Sequence, residues 1–302
     1  MITRRTLIGG SLLAIPALYG FPSLAANAAP SSDTSFEQLL NGLERRHGGR
    51  LGVAILDIDT QRLLAHRGDE RFAMCSTFKA LAAAHVLARV DRKQEDLSRL
   101  IVYGKEQLVP YSPTTEKHAG EGGLSVGSIC EAAVTLSDNT AANLLLDSFG
   151  GPQGLTEWLR TLGDQVTRLD RREPELNENR AGDLQDTTTP IAMLQTLRTL
   201  IFSEVLSGAS RDQLIAWLVS NTTGDQKLRA GLPSDWRVGD KTGAGANNAS
   251  NDVAVIWPRH RAPLIVTVYY TDSKASAEQV NAVMAEVGRW VAGTCVCHSP
   301  TA

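Results

Sequence analysis

Leu51-Gly52-Val53-Ala54-Ile55-Leu56-Asp57 is short, apolar and rich in branched side chains, the composition of a buried strand. Just before it, Phe36, Leu39, Leu40 and Leu43 recur at helical spacing, so a helix precedes this strand. Turn residues at 57–60 lead to a second strand predicted over 61–66. From residue 75 to about 218 the pattern is helical, and then it reverts. Residues 235–239, 252–257 and 264–270 read as strands and 276–292 as a closing helix. Strands joined by short turns favour antiparallel pairing. The expected architecture is α/β (α+β): an antiparallel sheet of about five strands built from both chain ends and flanked by helices, with a mostly helical domain inserted between them. The corresponding boundaries are 33–67 and 220–293 for the sheet domain, 68–219 for an all-α domain, and 294–302 for a polar tail.

The chain begins Met1-Ile2-Thr3-Arg4-Arg5-Thr6-Leu7-Ile8, runs through an apolar stretch at 7–18, and reaches small residues at Ala26-Asn27-Ala28. This pattern reads as a cleaved export signal over 1–28. Its adjacent arginines, with Gly9, Gly10 and Pro16 in the apolar stretch, point to the twin-arginine type. A periplasmic or secreted protein without a membrane anchor is expected. Residues 1–28 hold two arginines and no acid, leaving 28 basic against 33 acidic side chains and a formal charge of −5. That balance argues against a nucleic-acid partner. The hydrophobic content of 42% fits a folded globule rather than a disordered chain. Cys75, Cys130, Cys295 and Cys297 allow three disulfide pairings, and none is expected to be catalytic. The six histidines are scattered and no Cys-x-x-Cys or His-Glu-x-x-His occurs, so neither metal nor cofactor is expected.

Three short motifs carry chemistry. Ser76-Thr77-Phe78-Lys79 opens an apolar helix predicted over 78–90, and a three-residue separation puts hydroxyl and amine on one face, within touching range. Serine becomes a nucleophile when a neighbouring base takes its proton; a desolvated lysine can serve, and a helix N-terminus favours negative charge nearby. The same residues also describe an N-cap serine followed by a surface lysine. Ser137-Asp138-Asn139 interrupts an apolar helical segment, as either a polar site or a plain helix break. Lys241-Thr242-Gly243 follows a predicted strand and opens onto the side-chain-poor run Ala244-Gly245-Ala246-Asn247-Asn248, where a cation and a hydroxyl at a strand end suit a carboxylate ligand.

Together these motifs resemble the active-site signature of serine penicillin-recognising enzymes. A fourth element selects the branch: Arg171-Arg172-Glu173-Pro174-Glu175-Leu176-Asn177, continuing to Asp183 and Asp186-Thr187-Thr188-Thr189-Pro190, resembles the Ω-loop of class A β-lactamases. Tyr111-Ser112-Pro113-Thr114-Thr115-Glu116-Lys117-His118 resembles another of their stretches. The resemblance covers about 35–292 with every motif in family order. It implies hydrolysis of the β-lactam ring of penicillins and cephalosporins, hence antibiotic resistance, by a monomer that β-lactamase inhibitors would also engage.

The resemblance also implies roles. Ser76 attacks, with its own backbone N–H and that of Ala244 holding the oxyanion. Lys79 assists, Ser137 passes a proton to the departing nitrogen, and Glu173 activates the deacylating water, which Asn177 shares. Asn139 and Tyr111 contact the substrate, Lys241 and Thr242 bind its carboxylate, and Arg171 with Asp186 closes the neck of the loop at 171–186. The family precedent for the Glu173–Pro174 bond is cis. Where many members have an arginine behind the third motif this chain has Ser250, and Lys227 is the substitute candidate. The family's common disulfide from Cys130 would end at Ala83 and another from Cys75 at Gly245, so both bridges are expected to be absent. A D,D-peptidase or an acylated penicillin-binding sensor shares the first three motifs, but neither needs Glu173 with Asn177.

Overall fold

A computed structural model describes residues 32–296; the export signal predicted over 1–28, Cys297 and the rest of the tail lie outside the described residues. Helix α1 (Ser32–His47) runs into strand β1 (Gly48–Asp57), and β2 (Leu63–His66) returns antiparallel to it. The Asp57 carboxylate makes the turn between them by accepting the N–H groups of Asp59 at 2.9 Å and Thr60 at 3.1 Å. After β3 (Phe72–Ala73) come α2 (Phe78–Asp91), β4 (Leu100–Ile101), α3 (Thr115–His118), β5 (Leu124–Ser125), α4 (Val126–Thr135), α5 (Asn139–Asp147) and α6 (Gly151–Thr161). Then follow β6 (Thr187–Thr188), α7 (Pro190–Phe202) and α8 (Gly208–Val219). The chain re-enters the sheet with β7 (Arg237–Gly245), β8 (Ala249–Trp257) and β9 (Leu264–Ser273), and closes with α9 (Ala277–Val296). The strand order β2-β1-β9-β8-β7 is antiparallel throughout, so the sheet is assembled from both chain ends as expected.

Alternation along the strands divides the core in two. Leu51, Val53 and Ile55 of β1, Ala254 and Ile256 of β8, and Val266 and Val268 of β9 face one side, under Phe36, Leu40 and Leu43 of α1 and Val283, Met284 and Val287 of α9. Ala54, Leu56, Val253, Val255, Ile265 and Tyr269 face the other, against the helical middle. At the centre of that middle lies α2, buried continuously from Phe78 to Ala88; a helix apolar all round belongs in a core, and this one carries Lys79 into it.

Three sequence expectations need correction. The region read as all-α also holds two short ladders, β3 with β6 and β4 with β5. Lys241-Thr242-Gly243 lies inside β7 and not beyond the end of a strand: pairing with β8 continues to Gly245 opposite Ala249, so the small residues read as a loop stay extended. Gly243 is needed there because a Cβ would sit 2.8 Å from the Met74 carbonyl oxygen. Finally, α9 runs through residue 296, which places the backbone of Cys295 in a helix and not in a polar tail. The Thr294 hydroxyl donates to the Trp290 carbonyl one turn back at 2.9 Å, within the continuing helix.

The junction of α4 and α5 is organised by Asp138. As the α5 N-cap it accepts the Ala141 N–H at 2.8 Å, and it also takes the backbone N–H groups of Thr114 and Thr115 at 2.9 Å and the Thr115 hydroxyl at 2.8 Å. Asp138 is fully buried, so its removal strands four donors. Asp138→Ala is expected to lower unfolding free energy by about 3 kcal/mol in urea titration; a loss below about 0.5 kcal/mol would show that the junction re-forms without it.

Candidate active site

A single 3₁₀ turn, Cys75–Thr77, carries the serine hydroxyl into the mouth of α2. Cys75 takes a left-handed backbone with φ 45°, a sparsely populated conformation for a residue with a side chain. The Ser76 hydroxyl donates to Glu173 Oε1 at 3.3 Å. Lys79 Nζ lies 2.9 Å from the same oxygen. Sequence spacing suggested direct Ser76–Lys79 contact; instead both side chains bond one carboxylate oxygen. The amine is drawn aside by the Ser137 carbonyl at 2.8 Å and Asn139 Oδ1 at 2.5 Å. Burial pulls the Lys79 pKa below its usual value, while the charges of Glu173 and Asp138 oppose that shift.

Ser137, held at φ 60° between α4 and α5, presents its hydroxyl to both lysines: Lys79 Nζ is 3.4 Å away and Lys241 Nζ 3.1 Å away. β7 is an edge strand of the sheet, so its outer side faces the helical middle and not another strand. Lys241 also donates to the Thr242 carbonyl at 2.9 Å. Burial first, then the Lys79 charge, pushes the Lys241 pKa down to about 7.

Glu173 arrives on the loop 171–186. Arg171 closes its neck, donating to Asp186 at 2.5 Å, Glu178 at 2.8 Å and Asp183 at 3.2 Å. Asp186 in turn accepts the N–H groups of Asp170 and Arg171 at 2.8 and 2.9 Å. The Glu173–Pro174 bond is cis. Glu173 Oε2 is held by Asn177 Nδ2 at 2.5 Å, and the other polar atom of that amide, Asn177 Oδ1, is buried without a hydrogen-bond donor. Sequence reading gave no role to Asn143. Its amide clamps the Glu173 main chain from both sides, donating to the carbonyl at 2.9 Å and accepting the N–H at 3.0 Å. Its neighbourhood to Ser137-Asp138-Asn139, one helical turn along α5, is the only mark it carries in the sequence.

The rim is formed by residues of different character. Tyr111 is 62% exposed at φ 63°, its carbonyl accepting the Asn139 N–H at 3.0 Å, while the Asn139 amide donates to the Pro110 carbonyl at 2.8 Å. Opposite, Ala244 is exposed on β7, and the Thr242 hydroxyl lies 2.5 Å from that of Thr223. Lys227 reaches Ser250 Oγ at 2.6 Å, which brings a cation to the position where the chain lacks an arginine. Cys75 and Cys130 are free and buried. Among the described residues no cluster of His, Cys, Asp and Glu is arranged to hold a metal ion.

A serine, a buried lysine and a carboxylate on a tethered loop form an arrangement for acyl transfer followed by hydrolysis. Comparison with known proteins places it further. The chain matches the β-lactamase enzyme family over residues 35–294. It is 49% identical to β-lactamase AST-1 of Nocardia asteroides over 249 residues, 82% of this chain and 80% of the relative. It is 44% identical to β-lactamase OXY-2 of Klebsiella oxytoca over 268 residues, 89% of this chain and 92% of the relative. Among solved structures, an ancestral class A β-lactamase superposes with a TM-score of 0.84 at 64% identity, covering 85% of this chain and 98% of the other. A putative class A β-lactamase from Rhodopseudomonas palustris gives 0.85 at 58% identity, covering 86% and 99%. The chain therefore belongs to the β-lactamase enzyme family, in its class A branch.

Asn143 fixes the main chain of Glu173 without bonding its carboxylate. Asn143→Ala is expected to lower kcat for a chromogenic cephalosporin on the order of 100-fold, the cost of about 1 Å of misplacement, with KM little changed. An unchanged kcat would show that the loop positions Glu173 unaided.

Proposed function

We infer that this protein hydrolyses the β-lactam ring of penicillins and cephalosporins through an acyl-enzyme on Ser76. The Glu173 carboxylate carries the reading: Oε1 is shared by the Ser76 hydroxyl and the Lys79 amine, and Oε2 by the Asn177 amide. In acylation the Ser76 oxygen attacks the lactam carbonyl as its proton passes to the Glu173–Lys79 pair. The backbone N–H groups of Ser76 and Ala244 receive the oxyanion, a contribution of roughly 3 kcal/mol each in related acyl transfers. As the carbon–nitrogen bond breaks, Ser137 gives its proton to the nitrogen and is resupplied by a lysine, since both lie within 3.4 Å of its hydroxyl.

Deacylation requires a water beside the ester and a base to take its proton. Glu173 is that base, and the unpartnered buried Oδ1 of Asn177 is an acceptor for the same water. The proton goes to Glu173, the hydroxide adds to the ester carbonyl, and the Ser76 oxygen leaves and recovers a proton. Lys241, Thr242 and Lys227 would hold the substrate carboxylate, Asn139 its side-chain amide, and Tyr111 its exposed flank. Arg171 and Asp186 keep the loop in place. We further read the enzyme as exported after loss of 1–28 and monomeric. Export is supported by the signal pattern of that segment, and the monomer by the family resemblance alone. No helix among the described residues is long and apolar enough to cross a membrane.

The purified protein is expected to open many equivalents of a chromogenic cephalosporin per active site. One equivalent followed by silence would favour a penicillin-binding sensor or peptidase. The charge of Lys241 sets a second expectation. With a pKa near 7 the amine is protonated below that pH and neutral above it, so kcat/KM for an anionic β-lactam falls as pH rises through about 7. A profile flat well into the alkaline range would show that Lys241 keeps its proton.

A further inference from the structure

Behind β7 lies a polar cluster that the reaction does not touch directly. Thr242 pairs with Asp252 and Asp240 with Ala254, so Asp240 and Asp252 are diagonal neighbours on one face of adjacent strands. Both are fully buried. Asp240 is well supplied with donors: Oδ1 accepts from Arg229 Nε at 2.5 Å and Oδ2 from Asn221 Nδ2 at 2.7 Å. Asp252 is not. Its Oδ2 accepts the Leu228 N–H at 3.1 Å, while its Oδ1 is buried with no hydrogen-bond partner.

An ionised carboxylate with one bare buried oxygen, beside a second carboxylate, is an expensive arrangement. With a proton on Oδ1 the same group becomes a donor, and Asp240 has lone pairs left to accept it. The charged groups around Asp252 are Lys227, Arg229, Asp240 and Lys241. Arg229 is bound to Asp240, and Lys241 is turned to Ser137. Lys227 bonds only neutral oxygens, Ser250 Oγ at 2.6 Å and Asn281 Oδ1 at 3.0 Å, with no ion-pair partner among the described residues.

We propose that Asp252 is a positioning residue that stays protonated, donates its hydrogen to Asp240, and so leaves Lys227 an unpaired ammonium for the substrate carboxylate. Only the last step rests on the β-lactam reading. Were Asp252 ionised, its charge two residues along β8 from Ser250 would act on Lys227 and weaken the pull of the ammonium on an incoming anion. Burial, and then the charge of Asp240, push the Asp252 carboxyl well above the usual range, in keeping with the geometry.

Asp252→Asn keeps the size and the donor but cannot ionise. In the folded wild type Asp252 holds a proton that the unfolded chain releases above about pH 4, so the wild-type unfolding constant grows with pH relative to that of the variant. In urea titrations the wild-type to variant ratio of unfolding constants is expected to climb about tenfold per pH unit from about pH 4 until the folded carboxyl ionises. A ratio flat across that range would overturn the proposal, and it does so whether or not the protein hydrolyses β-lactams. In kinetics, Asp252→Asn should keep KM for an anionic cephalosporin within about twofold while Lys227→Ala raises it. A large KM increase in Asp252→Asn would show that an Asp252 charge supports Lys227, and would equally overturn it.

Discussion

The contact between Lys79 and Glu173 is made where both side chains are out of water, at 0% exposure. A buried ion pair is tolerable only when geometry is tight and the remaining hydrogen-bonding capacity is met. That condition reaches far into the fold. Lys79 is delivered by the most buried helix and needs the Ser137 carbonyl and the Asn139 amide, which Asp138 holds at the α4–α5 junction. Glu173 is delivered by a loop that Arg171 ties at its neck and Asn143 grips by the main chain. The same assembly places a carboxylate oxygen 3.3 Å from the Ser76 hydroxyl.

The same burial makes the site electrostatically unfinished. Lys79 and Lys241 approach one hydroxyl from two sides, and the positive charge of Lys79 contributes to the fall in the Lys241 pKa. An anionic ligand relieves that repulsion. A carboxylate near Lys241 would therefore be held by a cation that gains from its arrival.

Much of the architecture was legible in the sequence because strands and helices advertise their period. The strand at 51–57, the two C-terminal strands and the helix over 78–90 all alternate or cluster as packing demands. The extent of β7 was not legible: Gly243-Ala244-Gly245 has little strand propensity of its own and is extended because β8 pairs with it. The course of α9 past residue 292 was not legible either: a polar tail was expected there, whereas the helix continues and the Thr294 hydroxyl bonds back to its own previous turn. Within the site, residues that act through side chains on a ligand belong to recognisable motifs. Residues that act on another residue, such as Asn143 on the Glu173 main chain or Asp252 on Asp240, look like ordinary helix and strand positions until their partners are seen.

We assign to Glu173 the breakdown of an ester on Ser76. The direct measurement is mass spectrometry of Glu173→Ala after mixing with a penicillin or cephalosporin. Persistent addition of the intact antibiotic mass, mapped to Ser76, is the predicted result, because acylation proceeds with Lys79 present while the ester lacks a base to activate water. Unchanged steady-state hydrolysis, with no adduct on Ser76, would contradict the account.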